Sequence, residues 1–304
     1  MWLVIVIILL MLSTLANNSR SKNIDYLHQV YYHRGYYNNK DIAENSMSAF
    51  NKCIEKGYGI ELDVQLTKDE QLVVFHDDSL KRMANIDITV TNSDYEELAK
   101  YCLLNTNDHI PLFEDVLKAN INNVPIYIEI KDFSMHYQKL VDKIVALCDK
   151  YPGNYIFCSF NVIALIYLRK IRPELLRGVI VQRYKKGNYL KGKILENMFL
   201  NFLVRPDIIS YEYDKANWSL KLNKLFNNTL AGWAISSYDE YLKNDFYDMC
   251  VVEKFDYKTG KKLEIVSLNQ DEKKNKTNIS ITDFMKNYLS NTSKNKNIVS
   301  LEKN

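Results

Sequence analysis

Seven residues carry most of the chemistry this chain can offer: His33 and Arg34, then Glu61 and Asp63, then His76, and finally Glu129 and Lys131. Carboxylates gathered in a partly buried cleft repel one another and raise each other's pKa unless a cation stands among them. An all-oxygen set of Glu61, Asp63 and Glu129 suits one hard divalent cation, Mg2+ or Ca2+, better than zinc. Histidines beside such an ion, rather than on it, can move protons. One takes the proton of an attacking hydroxyl or water, and the other delivers one to the leaving oxygen. Arg34 and Lys131 would neutralise a bound phosphate. The combination points to metal-assisted cleavage of a phosphodiester. Taken singly, each residue is commonplace: an ELD or EIK at a strand end is usually just solvated, and His28, His109 and His136 read as surface or hydrogen-bonded residues. Glu44 and Asn45 precede a helix that begins near Ser46, where Asn45 or Ser46 can cap it; both are expected to support the site from behind.

The elements that must position these residues alternate between two periods. Short apolar runs read as strands at Gln29–His33, Tyr58–Asp63, Leu72–His76, Val124–Glu129, Tyr155–Phe160, Gly178–Gln182, Asp207–Tyr211, Leu230–Ile235 and Met249–Glu253. Helical spacing appears at Ser46–Lys56, Leu112–Lys118, Tyr137–Lys150 and Val162–Lys170,. Strand alternating with helix argues an α/β fold with a parallel sheet under helices. Too little chain lies between Asp63 and Leu72 for a parallel crossover, so Val64–Leu66 and Leu72–Phe75 are expected to form an antiparallel hairpin turning at Lys68–Glu70. Removing its return arm leaves eight strands. A (β/α)8 barrel over residues 27–257 is therefore the expected architecture, with the hairpin after the second strand standing on the C-terminal face; a doubly wound open sheet is the alternative. In such a barrel the seven residues all lie at strand ends on one face, and period-two alternation points Glu61 with Asp63, and Glu129 with Lys131, to the same side.

The rest of the composition limits the partners. Forty basic and 37 acidic residues, well interspersed, leave a net charge of +3 and no single-sign field of the kind that binds nucleic acid,. The five cysteines are scattered, with no CxxC pair, and read as core thiols rather than a zinc knuckle or disulfide framework,. Residues Trp2 to Leu12 are all apolar, and the run fades through Ala16. Its length suits a signal peptide or a marginal membrane anchor, assigned to residues 1–22 and set outside the fold. Arg20 and Lys22 follow the run, which by the positive-inside tendency holds the domain in the cytoplasm; export with cleavage after Ala16 is the competing reading. The protein is thus expected to be membrane-associated or secreted. Residues 258–304, rich in Lys, Asn, Ser and Glu, read as a flexible tail,.

The order of HRG, then EN before an AF-containing helix, then GIELDVQLTKD, VVFHD and IEIK resembles the glycerophosphodiester phosphodiesterase family. The likeness continues more thinly through CSFNVIAL, the RPEL before GVIV, and GWAISSYDEY, covering about Tyr31 to Val252. It implies a metal-dependent TIM barrel that hydrolyses glycerophosphodiesters to glycerol 3-phosphate and an alcohol. In that family's terms His33 and His76 are the acid/base pair, and Glu61, Asp63 and Glu129 hold the metal. Arg34 and Lys131 contact phosphate, and Trp233 lies at the substrate pocket. This sequence departs from the pattern at Ala43 and Ser46, where proline and threonine are usual, and in GWAIS and CVVEKF, where the last strand usually ends in aspartate and proline. The stretch from Asp77 to Pro111 also leaves little room for the capping insertion of many bacterial members. A more open mouth would admit a lysolipid beside a small-molecule glycerophosphodiester. Phospholipase D-type action on lysophospholipids or sphingomyelin, and a non-catalytic phosphodiester-binding role, are the alternatives.

Overall fold

The computed structural model describes residues 24–133, 136–183 and 189–264, with residues 5, 9 and 11–16 ahead of them. Among the described residues nine strands form one sheet: β1 (Val30–Tyr32), β2 (Gly59–Leu66), β3 (Leu72–Val74), β4 (Ile126–Ile130), β5 (Tyr155–Ser159), β6 (Arg177–Val181), β7 (Ile208–Glu212), β8 (Thr229–Ile235) and β9 (Met249–Val252). Eight of them pair in parallel in the order β1-β9-β8-β7-β6-β5-β4-β2, and β1 pairs with β2 as well as β9, which closes the cylinder. The expected (β/α)8 barrel is the observed one. The ninth strand, β3, runs antiparallel to β2 with Val64 opposite Val74. Its turn falls at the expected place: the Thr67 carbonyl accepts from Glu70 N–H, and Glu70 takes a left-handed φ of 63°.

The helices are α1 (Met47–Lys56), α2 (Lys81–Ala84), α3 (Tyr95–Leu98), α4 (Phe113–Ala119), α5 (Tyr137–Lys150), α6 (Val162–Ile171), α7 (Tyr189–Glu196), α8 (Asn201–Val204), α9 (Trp218–Leu225) and α10 (Tyr238–Leu242). Every residue of β2 is buried, because its two faces meet different partners. Ile60, Leu62 and Val64 pack outward with Phe50 and Ile54 of α1 and Phe113 and Val116 of α4. Glu61, Asp63 and Gln65 are the alternate, inward set. Tyr31, Tyr127, Cys158, Ile180, Ala231 and Val251 fill the lower bore, with Leu27 from the turn before β1 packed among them. This packed floor leaves only the strands' carboxyl ends open for chemistry.

Residues between β3 and α4 fold as a small cluster of their own, in which Leu80, Met83, Val90, Leu98, Leu103 and Ile110 pack on Val73 and Phe75 of the hairpin. The stretch from Asp77 to Pro111 thus forms a compact annex to the hairpin. At the other terminus, backbone bonds from Asp256 N–H to the Lys261 carbonyl and from Leu263 N–H to the Lys254 carbonyl fold residues 254–263 on themselves, and the Tyr58 hydroxyl donates to Asp256 at 3.2 Å, so the chain stays folded beyond Tyr257. The remainder of the expected tail lies outside the described residues, as does most of the expected leader. The end of the leader is described and is held in place: Asn201 and Asn223 both donate side-chain N–H bonds to the Thr14 carbonyl, at 2.7 and 3.1 Å.

Candidate active site

The first βα loop is shaped by backbone conformation. Arg34 and Gly35 both enter the left-handed region, with φ of 58° and 82°, so the chain reverses as soon as β1 ends. A Cβ at Gly35 would sit 2.9 Å from the Ala49 Cβ, so glycine is needed there for space as well as for φ,. The reversal aims the Arg34 amide at Glu61, whose Oε2 accepts it at 2.8 Å. Asn45, also left-handed at φ 53°, donates from Nδ2 to Asp63 Oδ2 at 2.8 Å. Ser46, not Asn45, caps α1, its hydroxyl oxygen accepting from Ala49 N–H at 3.2 Å. The two adjacent residues have divided the two tasks between them.

Glu61, Asp63 and Glu129 meet at the centre. Each is buried, and one carboxylate oxygen from each lies within 4.8 Å of the others. Parallel pairing of β2 with β4 sets Asp63 beside Glu129. Burial and then the charges of Asp63 and Glu129 push Glu61 well above the usual carboxylate range. Burial likewise raises Glu129, to about 7, although Lys131 opposes it. Burial acts in the same direction on Asp63, but Lys131, His76 and Arg34 outweigh it and hold that carboxyl down. Asp63 Oδ1 is buried and makes no hydrogen bond; its contact is the ion pair with Lys131 at 3.3 Å. Three crowded carboxylates, two of them forced toward protonation, with a buried oxygen lacking a donor, fit a hard divalent cation.

The cations flank this triad. Lys131 Nζ lies 2.7 Å from Glu129 Oε1 and stands over the Phe160 ring at 5.9 Å. Arg34 pairs with Glu44 at 2.5 Å and approaches Asp63 at 3.7 Å. Glu44 is held well below the usual range, since Arg34 and Arg82 together overcome its burial. Arg82 then continues the network, bonding Glu44 at 2.7 Å and Asp77 at 2.5 Å.

Both histidines are tethered through Nδ1 to a carboxylate. His76 meets Asp77 at 2.6 Å, and His33 meets Glu253 at 3.2 Å. Burial, with Arg34 and Lys131 nearby, lowers His76 to about 4 in spite of Asp63 and Asp77, so its imidazole is neutral at pH 7. Its Nδ1 proton then faces Asp77, and Nε2 keeps a lone pair. Glu253 is held down to about 2; its bonds with His33 and Lys254 overcome burial. Trp233 stands on β8, half-buried, with its indole N–H donated to the Val181 carbonyl at 3.1 Å and its ring edge-on to Phe160 at 6.1 Å. All seven residues chosen for chemistry thus lie at one mouth, with Glu44, Asn45 and Trp233 around them.

Two contributors were not anticipated. Glu253 follows the last strand; it closes the run Met249–Glu253 and lies within CVVEKF, and the strand-end rule applied to β9 points to it. Arg82 sits on α2, away from any strand end, and the sequence carries no signal of its place between Glu44 and Asp77. Of the histidines set aside, His109 pairs with Cys102 across 3.7 Å, away from the triad.

Residues 33–198, beginning at the histidine that opens the mouth, match the model of the glycerophosphoryl diester phosphodiesterase family. The chain belongs to this family. A glycerophosphodiester phosphodiesterase of Bacillus altitudinis is 32% identical over 176 residues, which span 54% of this chain and 71% of that protein. Human lysophospholipase D GDPD1 is 33% identical over 126 residues, 37% of this chain and 39% of that one. Among solved structures, an Oleispira antarctica phosphodiesterase in complex with sn-glycerol-3-phosphate superposes with a TM-score of 0.62 at 19% identity, covering 74% of this chain and 92% of its own. The family member described here therefore shares its barrel with proteins of that fold.

Proposed function

We propose that this chain hydrolyses water-soluble glycerophosphodiesters to glycerol 3-phosphate and an alcohol. The observation that carries the reading is the meeting of three buried carboxylates within 4.8 Å at a mouth shared with two carboxylate-tethered histidines. Glu61, Asp63 and Glu129 would hold Mg2+ or Ca2+, which when bound withdraws charge from the phosphoryl oxygens. Arg34 and Lys131 lie beside the triad, where they can turn from their carboxylate partners to a phosphate. His76, neutral at Nε2, takes the proton of the attacking group as the new P–O bond forms; water as that group gives glycerol 3-phosphate directly, whereas the glycerol hydroxyl gives a cyclic phosphate that water then opens with the two histidines exchanging roles,. His33, held by Glu253, gives a proton to the alcohol oxygen as the old P–O bond breaks,. Each step thus leaves one histidine charged and one neutral, with no net proton consumed between them. The likeness to other family members supports the glycerol half of the substrate; the site geometry supports the diester chemistry.

Product analysis tests this directly. Incubation of the metal-supplied enzyme with glycerophosphocholine, followed by phosphorus NMR, is expected to show glycerol 3-phosphate and not phosphocholine. Appearance of phosphocholine would mean that the other ester bond breaks. Lysophosphatidylcholine assayed in parallel is expected to turn over more slowly than the soluble diester.

A further inference from the structure

His76 stands beyond the end of its strand. β3 closes at Val74, and just past it Phe75 N–H donates to the Asp63 carbonyl at 2.9 Å. From there to Asp77 the chain leaves the ladder, yet it must hold an imidazole toward the triad. Gln65 takes over at this point. Its side-chain Nε2 donates to the Phe75 carbonyl at 2.6 Å and to the Asp77 carbonyl at 2.7 Å, one on each side of His76. Because carbonyls only accept, the amide nitrogen must face both of them, and both of its hydrogens are committed. The amide oxygen is left buried and without a hydrogen-bond partner. A buried unpaired oxygen is costly, and methionine would fill the same length without it. The side chain therefore serves through its two donors rather than through packing.

Gln65 is fully buried on β2, on the inward face that also carries Glu61 and Asp63,. One strand thus supplies two carboxylates of the triad and, two residues further on, the tether of the histidine. Asp77, whose carbonyl Gln65 grips, holds the imidazole through its own carboxylate at 2.6 Å. Gln65 acts on the backbone from which the ring and that carboxylate both project. The placement of His76 relative to the triad is in this way set by a single buried element.

We infer that Gln65 is a positioning residue for His76, fixing the imidazole over the acidic triad through the two carbonyls that flank it. The inference rests on the proposed role of His76 as the group that takes the proton of the attacking group. A displacement of about 1 Å in such a group costs about a hundredfold in rate. The triad, Arg34 and Lys131 hold metal and phosphate without Gln65, so loss of the tether falls on kcat and leaves binding in place.

Gln65→Met removes both donors and keeps the length. Its kcat on glycerophosphocholine is expected to fall about ten- to a hundredfold, with KM and the Mg2+ affinity measured by calorimetry unchanged. A second readout does not depend on turnover. With isotopically labelled histidine, the His76 Nδ1 proton that faces Asp77 gives a downfield NMR resonance, assigned by its loss in His76→Ala, and this is expected to broaden or vanish in Gln65→Met. Gln65→Asn, too short to reach both carbonyls, is expected to behave likewise and carries the test if Gln65→Met does not fold. In a folded variant, a sharp unshifted resonance, an unchanged kcat, or a Mg2+ affinity that falls in step with kcat would each overturn the inference. Absence of turnover in the wild-type protein would instead strike the proposed reaction, and the resonance would then decide the tether by itself.

Discussion

Asn45 donates from its side chain to Asp63 across 2.8 Å, and this bond ties the first βα loop to the second strand at the centre of the acidic triad. The bond occupies one oxygen of Asp63 and leaves the other, Oδ1, facing Lys131. Asn45→Gly removes the amide while tolerating the left-handed backbone. Its metal affinity, measured by calorimetry, is expected to fall about tenfold. An affinity equal to wild type would show that the amide does not orient Asp63.

Glu253 holds His33 through Nδ1, so the two act as one unit. Glu253→Gln keeps the shape and loses the charge. It is expected to lower kcat by roughly ten- to a hundredfold with KM little changed, and Glu253→Asp is expected to recover part of the loss. A change confined to KM would place Glu253 in substrate binding instead.

The raised carboxyls give metal binding a pH dependence whose sign follows from linkage. Glu129, at about 7, and Glu61, pushed well above the usual carboxylate range by burial and by Asp63 and Glu129, hold protons in the metal-free fold that they lack when unfolded. The metal-free protein therefore loses stability as pH rises from the ordinary carboxylate range toward 7 and beyond. A divalent cation must displace those protons, so its affinity rises over the same interval. The gain in Tm on adding Mg2+ or Ca2+ is expected to be larger at about pH 8 than at about pH 5.5. Scanning calorimetry at both values checks it, and an equal or smaller gain at the higher pH would contradict the charge reading of the triad.

Arg82 bridges Glu44 and Asp77 and so connects the Arg34 end of the site to His76. Arg82→Met leaves Asp77 without its guanidinium and is expected to cost about 3 kcal/mol of stability. Urea denaturation measures the loss. A value within error of zero would mean that Arg34 alone suffices to balance Glu44.

The barrel was legible because its strands are short apolar runs bounded by polar turns, those of the first half alternate with helices of clear period, and the connection from Asp63 to Leu72 is too short for a parallel crossover. Placing Glu61, Asp63, His76 and Glu129 at one mouth followed from that count. The division of labour between Asn45 and Ser46 was not legible, since either residue type can cap a helix and only the left-handed turn at Asn45 turns its amide toward Asp63. α8 and α10 are only four and five residues long, too short to show a helical period. Arg82 owes its place to packing of the annex on the hairpin, a contact between residues far apart in the chain. Thr14 falls outside the fold expected from sequence with the rest of its apolar run, because hydropathy says nothing of two asparagines 187 and 209 residues away.

The most direct measurement is the rate of glycerol 3-phosphate release from glycerophosphocholine before and after EDTA, repeated with Glu61→Gln and His76→Ala. Wild-type activity is expected to vanish with EDTA and return on adding Mg2+ or Ca2+. Glu61→Gln is expected to need much more metal, and His76→Ala to stay inactive at any metal concentration. Turnover that persists in EDTA, or that survives loss of His76, would contradict the metal-and-histidine account of this site.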